Sequence, residues 1–445
     1  MQNHLLSPLF ALHLAEISSR TSAALEATGF DSLVIQAGEP LQLFLDDQNY
    51  PYKVHPPFKL WAPLLNAPGS LIFFEPGNQP TLIFYVATDF WHQAAQLPES
   101  WWPSSFKIMT VHSRAQARAA LPKSLARTAW IGDLLPELTN WGLAAINPSE
   151  LLWQLDFARA RKTAYEIACL REANWLGVQG HAAAERAFRA GGSEYEIHNA
   201  FASSCGQREQ ELPYNSIVAL NKGGAVLHYQ VLQRCAPIKI NSLLIDAGAN
   251  FAGYGSDITR TYSYNDPDFS ALIAAMHQLQ QRLCDQARPG KDWREIHQSA
   301  VVYIANLLVE SNIVNCSAAE AIDNGIARLF FPHGIGHLLG LQVHDVGGRM
   351  SGSYGIHLPR PSLDHTLRLT RVLEPGFVVT MEPGVYFIDS LLDPARMGPY
   401  ALKINWKRVD SLSPFGGIRI EDNLVITAQG CENLTRNAQA LLHPK

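Results

Sequence analysis

The chain lacks the run of about 18 apolar residues that a membrane-spanning helix needs. Its opening residues, Met1-Gln-Asn-His-Leu-Leu-Ser-Pro, carry no basic region ahead of an apolar core. Neither a bilayer partner nor an export signal is therefore expected. Basic charge is also scarce: 35 Lys and Arg stand against 40 Asp and Glu, a net charge of −5, and no basic stripe runs through the sequence. That argues against nucleic acid as a main partner, because such binding rests on neutralising phosphates. Cysteine is sparse as well. Cys169, Cys205, Cys235, Cys284, Cys316 and Cys431 are scattered without a C-x-x-C pair, which argues against a thiolate zinc site or a disulfide frame and leaves ordinary reduced thiols. A soluble cytoplasmic protein is expected.

A length of 445 residues is enough for two domains with their own cores. Residues 5–29 have the apolar spacing of an amphipathic helix, and residues 31–36, 71–74 and 80–86 read as strands separated by Pro- and Gly-rich turns. These predict an α/β first domain. Helical patterns over 151–163 and 165–189 meet near Arg159-Ala-Arg-Lys162-Thr, so the boundary is set near 160, giving domains 1–160 and 161–445. Further helices are predicted over 267–287 and 293–310, flanking short apolar strands, which makes the second domain α+β. Residues 347–368 and 390–416 read as long irregular segments of the kind that line active sites.

Five residues of the second domain have the chemistry of metal ligands: Asp246, Asp257, His337, Glu382 and Glu421. Asn241-Ser-Leu-Leu-Ile-Asp246-Ala-Gly248 is a buried strand that ends in an acid. Gly255-Ser-Asp257-Ile-Thr-Arg-Thr-Tyr262 alternates like the returning strand of a hairpin, which would bring the two acids together. Phe331-Pro-His333-Gly-Ile-Gly-His337 spaces two histidines by glycines that permit close backbone approach. Val378-Val-Thr-Met-Glu382-Pro-Gly384 and Gly417-Ile-Arg-Ile-Glu421-Asp-Asn423 each present a Glu at a strand end. Taken singly, each acid has an ordinary alternative as a turn former or a solvated strand end. Together, four carboxylates and one imidazole form a hard, oxygen-rich set that favours Mn²⁺, Mg²⁺, Co²⁺ or Fe²⁺ over a structural zinc. One divalent ion would leave half of the four carboxylate charges uncompensated, so two ions are expected.

The ordered signatures Asp246-Ala-Gly, Ser256-Asp257-Ile-Thr-Arg, His333-Gly-Ile-Gly-His337, Glu382-Pro-Gly and Arg419-Ile-Glu421-Asp resemble the metal-dependent pita-bread peptidases. That group includes methionine aminopeptidase, aminopeptidase P and prolidase. The extra N-terminal third resembles the latter two. Phe44-Leu-Asp46-Asp47, Asn215-Ser-Ile-Val-Ala-Leu-Asn221, Leu227-His228-Tyr229, Gly340-Leu-Gln-Val-His344-Asp345 and Pro414-Phe-Gly-Gly-Ile-Arg-Ile-Glu-Asp422 are similar to bacterial Xaa-Pro dipeptidases, some also called organophosphorus acid anhydrolases.

The resemblance implies an α/β domain of the creatinase/prolidase N-terminal type, then a pita-bread α+β catalytic domain. It implies hydrolysis of Xaa-Pro dipeptides at two divalent ions, Mn²⁺ foremost, with a hydroxide shared between them as nucleophile. Asp257 and Glu421 would touch both ions, Asp246 one, and His337 with Glu382 the other. His228, His333 and His344 would supply oxyanion donors, Glu382 would also help proton transfer, and Arg419 would orient Asp246 or Glu421. Arg371 would take the substrate carboxylate, Tyr214 and His344 would wall the pocket, and Asp47 would reach the substrate of a neighbouring subunit in a homodimer. An aminopeptidase P-like exopeptidase and a non-catalytic peptide-binding module are the rival readings, and organophosphate triester hydrolysis is a side reaction of the same site.

Overall fold

The computed structural model describes residues 3–91 and 93–442; the expected domains' outermost residues, 1–2 and 443–445, lie outside the described residues. The chain divides into two compact units. The first is Met1–Cys169 with Ala252–Tyr254 and Met350–His357; the second is Leu170–Phe251, Gly255–Arg349 and Leu358–Lys445.

The first unit is the α/β domain expected. Its sheet has six strands in the order Lys107–Val111, Thr81–Tyr85, Leu71–Phe74, Ser32–Gln36, Thr128–Ile131 and Ala145–Ile146. Ser32–Gln36 lies at its centre, antiparallel to Leu71–Phe74 and parallel to Thr128–Ile131. All five of its residues are buried, the pattern of a strand covered on both faces. Helices Asn3–Thr28, Arg114–Ala120 and Ser149–Arg159 accompany the sheet. The first of these matches the predicted amphipathic stretch, and Phe10, Leu14, Ile17 and Leu25 along it are buried.

In the second unit, strands Ile217–Leu220, Ser242–Asp246 and Thr259–Ser263 form one antiparallel sheet. Val378–Met381, Asp422–Ile426 and Cys431–Asn433 form another. A pair, Gly384–Tyr386 with Gly417–Arg419, continues from the second sheet's strands, and the bridge Thr259↔Glu421 ties the two sheets together. Helices Pro267–Cys284 and Trp293–Glu310 start at Asp266 and Asp292, whose side chains accept from the Phe269 and Arg294 amides. Such caps satisfy amides that the first turn leaves unpaired. The buried faces of both helices, Phe269, Leu272, Met276 and Leu279 on one and Ile296, Ala300 and Ile304 on the other, show the predicted 3.6-residue spacing.

Two expectations change. The segment 390–416 is not a long loop: it holds helices Asp389–Arg396 and Trp406–Leu412. Both are too short, and the first too rich in Asp, Arg and Pro, for periodicity to reveal them. Asp257 does not lie within the returning strand, which runs Thr259–Ser263. Thr259 pairs with Asp246, so Asp257 stands two residues ahead of the ladder. The excursion between the strands is closed by Ala247 N to Ile258 O at 3.0 Å and Ser256 N to Ala249 O at 2.9 Å. Gly248 is obligatory there, because a Cβ would come within 1.9 Å of Ser256 O.

Candidate metal centre

Each of the four acids sits at or close to where a strand ends or begins. Asp246 closes its strand, Asp257 precedes the partner strand, and Glu421 lies between Gly417–Arg419 and Asp422–Ile426. The Glu421 amide is anchored to Thr259 O at 3.0 Å. Glu382 follows Val378–Met381, and the histidine segment lies along that strand: Thr380 N bonds His337 O and Glu382 N bonds Ile335 O, both at 3.0 Å. Gly336 makes this approach possible, since a Cβ would meet Thr380 O at 2.2 Å. Apolar strands thus deliver every acid to one place while their hydrogen-bond ladders hold the backbone.

Asp257, His337 and Glu421 present ligand atoms that all lie within 4.8 Å of one another. His337 Nε2 is 3.4 Å from Asp257 Oδ2 and 3.8 Å from Glu382 Oε1. The Tyr214 hydroxyl lies 2.7 Å from both Asp246 Oδ1 and Asp257 Oδ1, joining Asp246 to the group, as His337 joins Glu382. Arg419 spans the base of the site: it donates to Asp246 Oδ2 at 2.7 Å, Thr259 Oγ1 at 3.1 Å and the Tyr386 hydroxyl at 3.0 Å. Of its two expected partners, Asp246 is the one it bonds directly. Thr259 Oγ1 in turn donates to Glu421 Oε2 at 2.7 Å.

Among the three histidines, His333 is fully engaged. Burial, and next the Arg419 charge, push its pKa down to about 3, so the ring is neutral. Its Nδ1 faces Gly334 O at 2.8 Å, an atom that only accepts, so Nδ1 carries the proton. Nε2, at 2.7 Å from the Tyr386 hydroxyl, is then an acceptor. Both ring nitrogens are thus engaged within the protein, and Nδ1 also lies 3.7 Å from Glu382 Oε2. His344 is different: its ring stands edge-on to His337 at 4.5 Å, and the partial burial of that ring, with the charges of His337 and Arg368, pushes it down to about 4. A neutral His344 keeps a free donor. The exposed His228 is close enough for its charge to act on both His333 and His344.

Two expected residues remain, Arg371 and Asp47. Arg371 is buried, donates to Glu374 Oε1 at 2.7 Å and Gly347 O at 3.2 Å, and covers the Phe377 ring, so its guanidinium has another occupation. Arg368 of the same segment is exposed, and its charge acts on His344. Asp47 is exposed on a turn of the first unit. Tyr386 and Thr259, absent from the expected set, prove to be central. A buried tyrosine hydroxyl must find a partner, which was the available signal.

Comparison with known proteins agrees with this geometry. Residues 168–428 match the family model described as metallopeptidase family M24, and residues 8–157 match the Xaa-Pro dipeptidase N-terminal domain. The chain is 45% identical to an Xaa-Pro dipeptidase of Aeromonas hydrophila over 97% of its own length and 99% of the relative's. It is 46% identical to one from Xanthomonas euvesicatoria, covering 97% and 98%. The chain belongs to metallopeptidase family M24. Aminopeptidase P from E. coli, solved with the inhibitor Pro-Leu, shares the fold at a TM-score of 0.73 and 23% identity, over 96% of this chain and 95% of that one.

The donor set of this M24 chain fits divalent metal. Burial, with the neighbouring Asp257 charge, pushes Asp246 up against the pull of Arg419. Burial and the charges of Asp257, Glu382 and Asp246 push Glu421 well above the carboxylate range. Burial raises Glu382 to about 7 despite His337 and Arg419. Burial would raise Asp257 also, but the hydrogen bond and charge of His337 hold it below its usual value. Carboxylates packed so tightly that they resist ionising are what cations relieve.

A pH prediction follows for the metal-free protein. Groups raised on folding stabilise the fold below their unfolded pKa values, and that contribution is lost as pH rises through the folded values, about 7 for Glu382. Glu382 alone accounts for roughly 3 kcal/mol at about 1.4 kcal/mol per unit. Chelated protein should therefore unfold at a lower temperature at pH 8 than at pH 5.5, and divalent ions should remove the difference. Equal unfolding temperatures in the chelated state would show that the cluster is not strained by its own charge.

Proposed function

We propose that this chain is an Xaa-Pro dipeptidase that hydrolyses its substrates at two divalent ions, Mn²⁺ foremost, held by Asp246, Asp257, His337, Glu382 and Glu421. The observation that carries the reading is the convergence of buried Asp257, His337 and Glu421 within 4.8 Å, in a chain 45–46% identical over nearly its whole length to proteins named Xaa-Pro dipeptidase. Bound divalent ions would supply Lewis acidity, acidifying a water and polarising the scissile carbonyl.

The protein's own groups do the rest. Glu382, the most accessible of the five at 18% exposure, takes the proton of the attacking water. It returns that proton to the departing proline nitrogen, which as a tertiary amide has none of its own. His344, with a free N–H, donates to the developing oxyanion, an interaction typically worth about 3 kcal/mol, and His228 stands beside it. His333 holds the Tyr386 hydroxyl, and through it the Arg419 fork, in place. Tyr214 bridges Asp246 and Asp257 at the pocket wall.

Counting two residues requires a cation for the proline carboxylate, and the reading assigns that role to Arg368 in place of Arg371. Its support is the charge of Arg368 on His344, against the occupation of Arg371 by Glu374. Arg368→Ala should raise KM for Leu-Pro by tenfold or more and leave turnover of a neutral organophosphate triester unchanged, because a triester has no carboxylate. Arg371→Ala should act mainly on stability. The opposite pattern would return the role to Arg371. The reading also includes a homodimer whose Asp47 reaches the neighbouring subunit's substrate, and a reducing compartment such as the cytoplasm, in keeping with six free thiols. Comparing kcat/KM for Leu-Pro and Leu-Pro-Gly tests the assignment. A strong preference for the dipeptide is expected, and equal rates would favour an aminopeptidase P activity.

A further inference from the structure

Residues 227–234, which include His228, belong to no helix or strand. No backbone ladder holds them, so side chains and packing must fix their place. Glu194, the buried first residue of the helix Glu194–Cys205, supplies the main anchor. Its Oε2 accepts from the Tyr229 hydroxyl at 2.9 Å and from the Gln233 amide at 2.8 Å. Its Oε1 accepts from the amide of Leu220, at the end of the strand Ile217–Leu220, at 2.9 Å. Tyr195 extends the anchor: its amide donates to Gln233 O at 3.1 Å, and its ring lies 4.4 Å from the Arg234 guanidinium carbon. Consecutive residues of one helix thus hold both the N–H and the C=O of Gln233. Leu232, just before it, has a φ of +52°, a conformation that a residue other than glycine keeps only where its surroundings impose it.

The other end of the segment reaches the metal centre's supporting residues. Leu227 and Tyr229 pack against Ile217, Leu244 and Tyr386, and the Tyr386 hydroxyl is the one that meets His333 and Arg419. His228, between them, is exposed. Burial, and then the hydrogen bond and charge of Glu194, push the Tyr229 phenol up to about 12, so it keeps the proton that it donates. The chemistry of the anchor is specific. Both Glu194 oxygens face a backbone N–H, which can only donate. A carboxylate satisfies both, whereas an amide in its place must turn its own NH₂ towards one of them.

We infer that Glu194 is a positioning residue for the reaction: through Tyr229 and Gln233 it holds the segment that sets His228 beside His344. This inference rests on the dipeptidase reading and adds to it a residue that acts through His228 and not on the substrate.

A double-mutant cycle on the full metal-loaded chain tests it. Glu194→Gln should lower kcat/KM for Leu-Pro by about tenfold, the scale of a misplaced active-site group. In a His228→Ala background the same change should cost less than about twofold, because the group it positions is already gone. A change that merely reduced the folded fraction would cost the same factor in both backgrounds. Metal content should match the parent's, and the Gln233 amide should exchange with solvent deuterium at least tenfold faster in Glu194→Gln while staying protected in His228→Ala. Equal factors in the two backgrounds overturn the inference, as does an unchanged kcat/KM in Glu194→Gln. If Glu194→Gln does not fold, Tyr229→Phe, which removes one bond and leaves both backbone amides satisfied, decides through the same cycle, with a loss of about threefold expected in the parent background alone. A parent chain that releases no proline would sink the dipeptidase reading and this inference with it, whereas an active parent with equal factors sinks the inference alone.

Discussion

Asp257→Asn should lower kcat/KM for an Xaa-Pro dipeptide by at least a thousandfold, about 4 kcal/mol of transition-state stabilisation, while leaving the fold intact. Asn has nearly the same shape, and the backbone around Asp257 is held independently of the carboxylate: its amide donates to Asn423 Oδ1 at 3.0 Å, and Asn423 Nδ2 returns a bond to Asp257 O. What the change removes is charge at the point where the site converges. Asp257 faces His337 at 3.4 Å and shares the Tyr214 hydroxyl with Asp246. An amide is a poor ligand for a hard divalent ion compared with a carboxylate, so metal content should fall together with activity. Elemental analysis and steady-state kinetics on the same preparation check this. Retained activity with retained metal would remove Asp257 from the centre.

Arg419→Met should have the larger effect on stability. The guanidinium is buried among Asp246, Thr259 and Tyr386, and its loss strands the Asp246 carboxylate and frees the Tyr386 hydroxyl. Breaking one side of a buried ion pair costs about 3–5 kcal/mol. Losing the group that orients a ligand lowers metal affinity by about 10–100-fold. Arg419→Lys should recover only part of this, because one ammonium cannot satisfy three partners set around a planar fork. Thermal unfolding with and without metal separates the two effects: the metal-free protein reports the stranded charge, and the metal-dependent increment reports the weakened site.

How far the sequence anticipates the site depends on how local the determining signal is. The ligands' addresses are local: a short apolar run ending in an acid reads directly as a strand end, and Ser242–Asp246 and Val378–Met381 with Glu382 are found as read. The helices Pro267–Cys284 and Trp293–Glu310 carry enough turns for their buried face to appear as a period. The roles of Arg371 and His333 are not local. Arg371 sits in a stretch that suits a substrate arginine, and only the folded chain brings Glu374, Gly347 and Phe377 around it. His333 looks like a free donor until Gly334 O and the Tyr386 hydroxyl take up its two nitrogens. Tyr386 itself, inside Gly384–Tyr386, has the sequence appearance of an ordinary core aromatic, and its partners His333 and Arg419 are distant along the chain.

These residues give the site its order. Strands and the segment beside Val378–Met381 fix the positions of the five expected ligands, Arg419 and Thr259 fix the direction of Asp246 and Glu421, and Tyr386 links Arg419 to His333. Burial first, and then the charges of their neighbours, raise Asp246 and Glu421, a strain that divalent cations would relieve. The most direct measurement is free proline released from Gly-Pro and Leu-Pro by purified protein reloaded with Mn²⁺, beside the same protein stripped by a chelator. The account predicts steady proline release from the loaded enzyme, its abolition by the chelator and its return with Mn²⁺. No proline from either sample, or equal release from both, would contradict it.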